Sequence, residues 1–138
     1  MRYLLDTCVI SDGAKPHKFA AVARWLESQA TQDLVISALT VGELRFGIQR
    51  LPAGKKRERV KHWMEAQLLP AFSDRILPVD SAIADTWGLL RASGEDMGRS
   101  LPIVDGLLLA TARVHGLTFV TRNLADVDDR GVSVLSPY

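Results

Sequence analysis

Residues 102–126 read PIVDGLLLATARVHGLTFVTRNLAD. Pro102 suits the first turn of a helix, where its missing N–H costs nothing. From Ile103 to Ala112 nearly every residue but Asp105 is apolar or small, and a helix that is apolar all round is buried. His115-Gly116-Leu117 is a stop, with Gly116 at the C-terminal cap position. The short apolar strand Thr118–Thr121 follows, and Thr121, Asn123 and Asp126 fall at its carboxyl end. A buried helix feeding a buried strand that ends in polar residues is the repeating unit of an α/β fold.

The rest of the chain keeps that alternation. Short apolar strands are expected at Tyr3–Leu5, Leu34–Ser37, Ile76–Pro78 and Val132–Leu135. Helices are expected at Phe19–Ala30, Thr40–Arg50, Lys55–Leu69, Ser81–Arg91 and Pro102–His115, with Asp80 as a helix-start residue. The spacing of Phe19, Val22, Ala23, Leu26 and Ala30 is helical. Strands alternating with helices predict a mainly parallel sheet covered on both faces. Leu51-Pro52-Ala53-Gly54 breaks two helices apart and allows a hairpin that projects from the body.

The 138 residues are the size of one domain, taken as 1–138. Hydrophobic residues make up 47% and charged ones 24%, ordinary for a soluble globule. The one cysteine, Cys8, excludes an internal disulfide framework and suits a reducing compartment. No apolar run approaches the roughly 20 residues of a membrane helix, and the start carries no signal-peptide pattern. The expected location is the cytoplasm, with no membrane partner. A net charge of +1 provides no bulk attraction for nucleic acid, although Lys55–His62, KKRERVKH, is locally basic.

The acids carry the chemistry. Asp6 ends the first strand, in MRYLLDTCVISD, and open parallel sheets bind ligands outside the carboxyl ends of their strands. Turn or cap chemistry accounts for it equally well when it is taken alone. Glu43 completes a Thr40-x-x-Glu43 capping box, which also sets it in the first turn after the second strand, on the same edge as Asp6. Asp105 is harder to explain locally. The helix dipole is worth about 0.3–1 kcal/mol to an exposed carboxylate, too little to offset desolvation in a buried helix. Asn123 and Asp126 have turn chemistry as their local explanation, Asp128 and Asp129 read as solvated charges, and Arg122 as a phosphate holder, an acid's partner or an exposed residue. Converging carboxylates repel one another. Mg²⁺ or Mn²⁺ would relieve that repulsion, since hard cations take oxygen ligands. Such a site activates water and neutralises a phosphodiester.

At these residues the chain resembles PIN domains, specifically the VapC-type toxin ribonucleases of bacterial toxin–antitoxin pairs. The matching pieces are YLLDTCVIS, ISALTVGELRFGI, RILPVDSAIADTWGLL, LPIVDGLLLATARVHGLTFVTRNLADV and the short terminal strand. The resemblance implies a three-layer α/β/α sandwich and a Mg²⁺-dependent endoribonuclease acting on RNA. It implies Asp6, Glu43 and Asp105 as metal-site acids, either Asn123 or Asp126 at a fourth position, and Thr7 and Thr121 as polar neighbours. It also implies a homodimer and inhibition by a small antitoxin protein. One departure stands out: where relatives commonly read DTN, this chain reads Asp6-Thr7-Cys8. Cysteine is a weak donor and a small hydrophobe.

Two other readings compete. One is a phosphotransferase with Asp6 as nucleophile, though the haloacid-dehalogenase pattern needs an acid where Cys8 stands. The other is a degenerate PIN-like domain that only binds RNA or a partner protein, which Cys8 and Asn123 favour. Trp25, Trp63 and Trp87 read as core or interface residues, and His17, His62 and His115 show no metal-ligand spacing. Lys55 to Lys61 reads as a solvated face, with a phosphate-contacting arm as its functional alternative.

Overall fold

Five short strands build one sheet in the order β3-β2-β1-β4-β5, namely β1 (Tyr3–Leu5), β2 (Leu34–Ser37), β3 (Ile76–Leu77), β4 (Thr118–Val120) and β5 (Val134–Leu135). The computed structural model describes the whole chain, residues 1–138. Every strand pairing is parallel, with Leu4 opposite Val35 on one side and Phe119 on the other. Successive side chains of a strand point to opposite faces. Tyr3 and Leu5 therefore enter one core, and Leu4 enters the other.

The first face is covered by α1 (Thr7–Gly13), α2 (Ala20–Ser28), α3 (Ala38–Arg50) and α4 (Lys55–His62). It buries Val9, Val22, Leu44, Ile48, Met64 and Leu68 against the sheet. The second face is covered by α6 (Ser81–Asp96) and α7 (Ile103–His115), which bury Ile83, Leu90, Leu108 and Leu109. The result is a three-layer α/β/α sandwich with a parallel sheet. Asp80 starts α6 by accepting from the Ile83 N–H at 3.0 Å. Gly116 ends α7 in the left-handed conformation, φ 65°, which glycine adopts at no steric cost. At Gly106 a Cβ would stand 2.9 Å from the Trp87 ring, so α7 lies tight against α6 one residue beyond Asp105.

The structure corrects two expectations, the capping box and the projecting hairpin, and adds helices that the sequence reading did not contain. Residues 7–13 form α1. Asp6 stops the strand and caps the helix in one step. The Thr40–Glu43 capping box does not form. Ser37 caps α3 one turn earlier by accepting from the Leu39 N–H at 3.0 Å, which leaves Thr40 buried and Glu43 free for other contacts. The break at 51–54 is real, with Gly54 at φ 153°. The hairpin does not project, however, because Val60, Trp63, Met64 and Leu68 pack into the first core. The helix expected over Lys55–Leu69 continues from α4 through a π-helical stretch, Trp63–Leu68, into α5 (Leu69–Ala71). A short α8 (Leu124–Val127), unforeseen in the sequence, follows β4.

Candidate functional site

Asp6 leaves the central strand between β2 and β4, the point where the chain's connections diverge to the two sides of the sheet and where such folds form a crevice. Its Oδ1 accepts from the Thr7 N–H at 2.7 Å. Its Oδ2 accepts from the Thr121 hydroxyl at 2.7 Å and from the Cys8 thiol at 3.6 Å. Thr121 is buried at the end of the neighbouring strand β4. On the other side, the Thr7 hydroxyl donates to Glu43 Oε1 at 2.6 Å, and its oxygen lies 3.1 Å from the Thr40 hydroxyl. Two threonines thus tie the first turn of α1 to α3 and to the end of β4.

Asp105 enters from the second face, in the first turn of α7. Its carboxyl is held above the usual aspartate range, first by burial and then by the negative charges of Asp6, Asp126 and Glu43. Those three charges come from α1's cap, α8 and α3, and all press on Asp105, so the four acids share one neighbourhood. Asp126 Oδ2 accepts from Asn123 Nδ2 at 2.6 Å, so the amide and the carboxylate stand at the site's edge as one pair.

No three of the acidic, histidine or cysteine side chains close on a common point as a ready-made cage. Mg²⁺ is usually held by one or two carboxylates and keeps several waters. An all-oxygen, mutually repelling set that leaves room between its members suits a hydrated hard cation and not a dehydrated one. Cys8 does not suit a metal. Burial, then the charge of Asp6, raises its thiol above the ordinary range, and it is the thiolate that ligates. It serves instead as a weak donor to Asp6.

Four residues unforeseen in the sequence, Asp12, Tyr138, Arg99 and Arg130, support the site. Asp12, buried near the end of α1, accepts from the Tyr138 hydroxyl at 2.6 Å and from Arg122 at 3.3 Å. The Arg122 guanidinium also stands 5.5 Å from the Tyr138 ring centroid. Although Tyr138 is 39% exposed, its hydroxyl turns inward to Asp12, and burial together with that bond pushes its ionisation above the normal tyrosine range. Arg130, buried, donates from Nε to the Asp126 carbonyl at 2.8 Å, and Arg99 donates to the Ala125 carbonyl at 2.9 Å. Together these arginines hold α8, and with it Asp126. Recognition of α1 would have found Asp12, which lies one turn after Cys8. Nothing in the local sequence announces Arg99 and Arg130, because their partners are backbone carbonyls.

Beside the centre lies a cavity of about 470 Å³ between α1, α3 and α4, whose lining includes Thr7, Glu43, Lys15, Lys56, Arg59 and Trp63. Trp25 and Trp87 are half-buried against the two cores. No helix is long and apolar enough to cross a membrane.

The PIN domain family model matches residues 3–126. The chain is 37% identical over 135 residues to Toxin FitB of Neisseria gonorrhoeae, covering 98% of this chain and 97% of that protein. It is 36% identical over 135 residues to VapC ribonuclease Y4jK of Sinorhizobium fredii, covering 98% and 96%. Among solved structures, that of FitAB bound to an IR36 DNA fragment contains a chain that superposes with a TM-score of 0.93 at 36% identity, covering 98% of this chain and 94% of that one. A family match over most of the chain, relatives aligned nearly end to end and a parallel sheet with acids at its carboxyl edge agree: the chain belongs to the PIN domain family.

Proposed function

We propose that this chain is a metal-dependent endoribonuclease and the toxin of a toxin–antitoxin pair. The observation that carries the reading is that Thr7 joins Asp6 to Glu43, while Asp105, entering from the other face, lies near enough for their charges and that of Asp126 to raise its carboxyl. Unaided, those charges destabilise one another. Support comes also from relatives that carry the names toxin and VapC ribonuclease.

Asp6, Glu43 and Asp105 would hold Mg²⁺, or Mn²⁺ in its place, which when bound supplies an activated water and neutralises the phosphodiester. The remaining work falls to the chain itself. Thr121 and the Thr7 N–H fix the orientation of the Asp6 carboxylate, and the Thr7 hydroxyl fixes that of Glu43. Asp105, whose carboxyl is raised by burial and by the neighbouring acids, is the member of the set whose ionised form gains most from a cation. Arg130 and Arg99 keep Asp126 and Asn123 at the rim.

The partners on this reading are an RNA substrate, a second copy of the chain in a homodimer, and a small antitoxin protein. Cys8 and Asn123 favour one alternative, a degenerate domain that binds RNA or a partner without cutting. Cleavage of labelled total bacterial RNA by purified protein in Mg²⁺, Mn²⁺ or EDTA separates the two. Discrete metal-dependent cuts, lost in Asp6→Asn and Asp105→Asn, are the expected result. No cuts by folded, antitoxin-free wild type would establish the binding-only reading.

A further inference from the structure

Asp12 is a buried carboxylate that neither the acidic centre nor its own helix explains. It lies in the last turn of α1, where the negative end of the helix dipole disfavours an acid. Burial adds a desolvation cost that partners must offset. Those partners come from the far end of the chain. The Tyr138 hydroxyl donates to Asp12 at 2.6 Å, and Arg122 Nη1 donates at 3.3 Å. Tyr138, in the segment after β5, also stacks under the Arg122 guanidinium, 5.5 Å from its ring centroid, and meets the Phe19 ring edge-on at 6.2 Å. Arg122 directly follows Thr121, whose hydroxyl holds Asp6 Oδ2. α1 is thus tied to the end of β4 twice: by Thr121 and Asp6 at its start, and by Arg122 and Asp12 near its end. Tyr138 bridges the second tie.

We propose that Asp12, Arg122 and Tyr138 are positioning residues, which clasp α1 to the end of β4 and thereby set the carboxylates of Asp6 and Glu43. This rests on the reading that those acids hold a cation. Both carboxylates take their orientation from α1. Asp6 Oδ1 accepts from the Thr7 N–H on α1, and its Oδ2 accepts from Thr121 at the end of β4, so the plane of the carboxylate follows the angle between the two elements. Glu43 Oε1 accepts from the Thr7 hydroxyl. A helix of 7 residues is marginal by itself, so its direction depends on such ties. A tilt of α1 would turn both acids at once. The Cys8 thiol stands at the same junction, donating to Asp6 Oδ2 at 3.6 Å and facing the Tyr138 hydroxyl. Of the three roles open to Arg122, phosphate holder, acid's partner or exposed residue, the geometry points to the second.

Cys8 is the one cysteine of the chain, so its rate of alkylation by iodoacetamide in metal-free protein reports how tightly the junction is held, whatever binds there. Calorimetric titration of Mn²⁺ into the same proteins reports the consequence. Asp12→Asn, Arg122→Gln and Tyr138→Phe should each speed alkylation several-fold and weaken Mn²⁺ binding, by about 10-fold for the first two, the size usual for a residue behind a metal ligand. Arg122→Lys keeps a charge beside Asp12 and should restore most of both. Leu90→Ala opens a cavity in the core of the other face; it should lower the melting temperature and leave both readouts unchanged. In cleavage the clasp variants should lower kcat and leave KM for RNA unchanged. Should Asp12→Asn fail to fold, Arg122→Gln and Tyr138→Phe carry the test. Clasp variants that alkylate and bind Mn²⁺ like wild type, or that change no more than Leu90→Ala does, would overturn the proposal. So would a raised KM in Arg122→Gln alone, which would make Arg122 a phosphate holder. A wild type that takes up no Mn²⁺, while alkylation still responds to all three changes, would sink the metal reading and leave the clasp of α1 to β4 standing.

Discussion

The helix beside Asp105 and the helix that carries Glu43 are packed to different tightness. On the second face α6 and α7 meet so closely that Gly106 has no room for a methyl group beside Trp87 and Leu101. On the first face α3 leaves open space: Gly42 and Gly47 have nothing within 4 Å of where a Cβ would stand, and a cavity runs down to Glu43. The difference has a functional sense. The packed face holds one acid, Asp105, in a helix that cannot shift. The open face supplies a second acid, Glu43, and leaves room beside it for a ligand. A site between such faces is rigid on one side and accessible on the other.

The contrast predicts unequal responses to equivalent changes. Leu108, fully buried in the second core, should cost about 2–5 kcal/mol when changed to Ala, measurable by urea unfolding. Gly106→Ala should cost about 1–3 kcal/mol by overpacking against Trp87 and should reduce cleavage as well, since Asp105 must move with the helix. Gly47→Ala in α3 should do the opposite and stabilise by roughly 0.5–1 kcal/mol, because glycine is costly in a helix interior and nothing opposes the added methyl. If Gly106→Ala and Gly47→Ala shift the melting temperature alike, the two helices do not differ as described.

A smaller effect comes from Asp105 itself. Its folded-state ionisation lies above the ordinary 3.8, so the folded protein holds that proton more tightly than the unfolded chain does. Its contribution to stability is complete below that pH and is lost as pH rises through the raised folded value. At neutral pH without metal, ionised Asp105 is therefore a net strain on the fold. Asp105→Asn should raise the melting temperature in EDTA by a few degrees at pH 7, and the gain should vanish as pH falls towards 3.8, even though the same change should abolish cleavage. A variant less stable than wild type in EDTA at pH 7 would contradict the convergence of the four acids.

The alternation of strands and helices was legible because it rests on local signals: apolar runs, the glycine stop at 116 and the helix-start Asp80. Three features were not, for identifiable reasons. Cys8, Val9 and Ile10 favour strands as isolated residues, and only the cap at Asp6 makes them helical. Thr40 and Glu43 match a capping box, but Ser37, already at the end of β2, reaches the free N–H groups first. The hairpin after Leu51 looked free because its basic surface, Lys55–Lys61, precedes the apolar residues Met64 and Leu68 that dock it. Within the site, Asp6, Glu43 and Asp105 stand out in sequence as acids next to apolar elements. Asp12 and Arg99 act through partners 26 to 126 residues away, Arg130 acts through a backbone carbonyl, and no local pattern encodes such contacts.

The central claim is that Asp6, Glu43 and Asp105 form a metal centre, and it can be tested without knowing the RNA. Calorimetric titration of Mn²⁺ or Mg²⁺ into the metal-free protein, beside Asp6→Asn and Asp105→Asn, reads it directly. The account predicts saturable binding to wild type, accompanied by a rise in melting temperature, with both lost or strongly weakened in each variant. A folded wild type that takes up neither ion, or variants that bind as well as wild type, would contradict it.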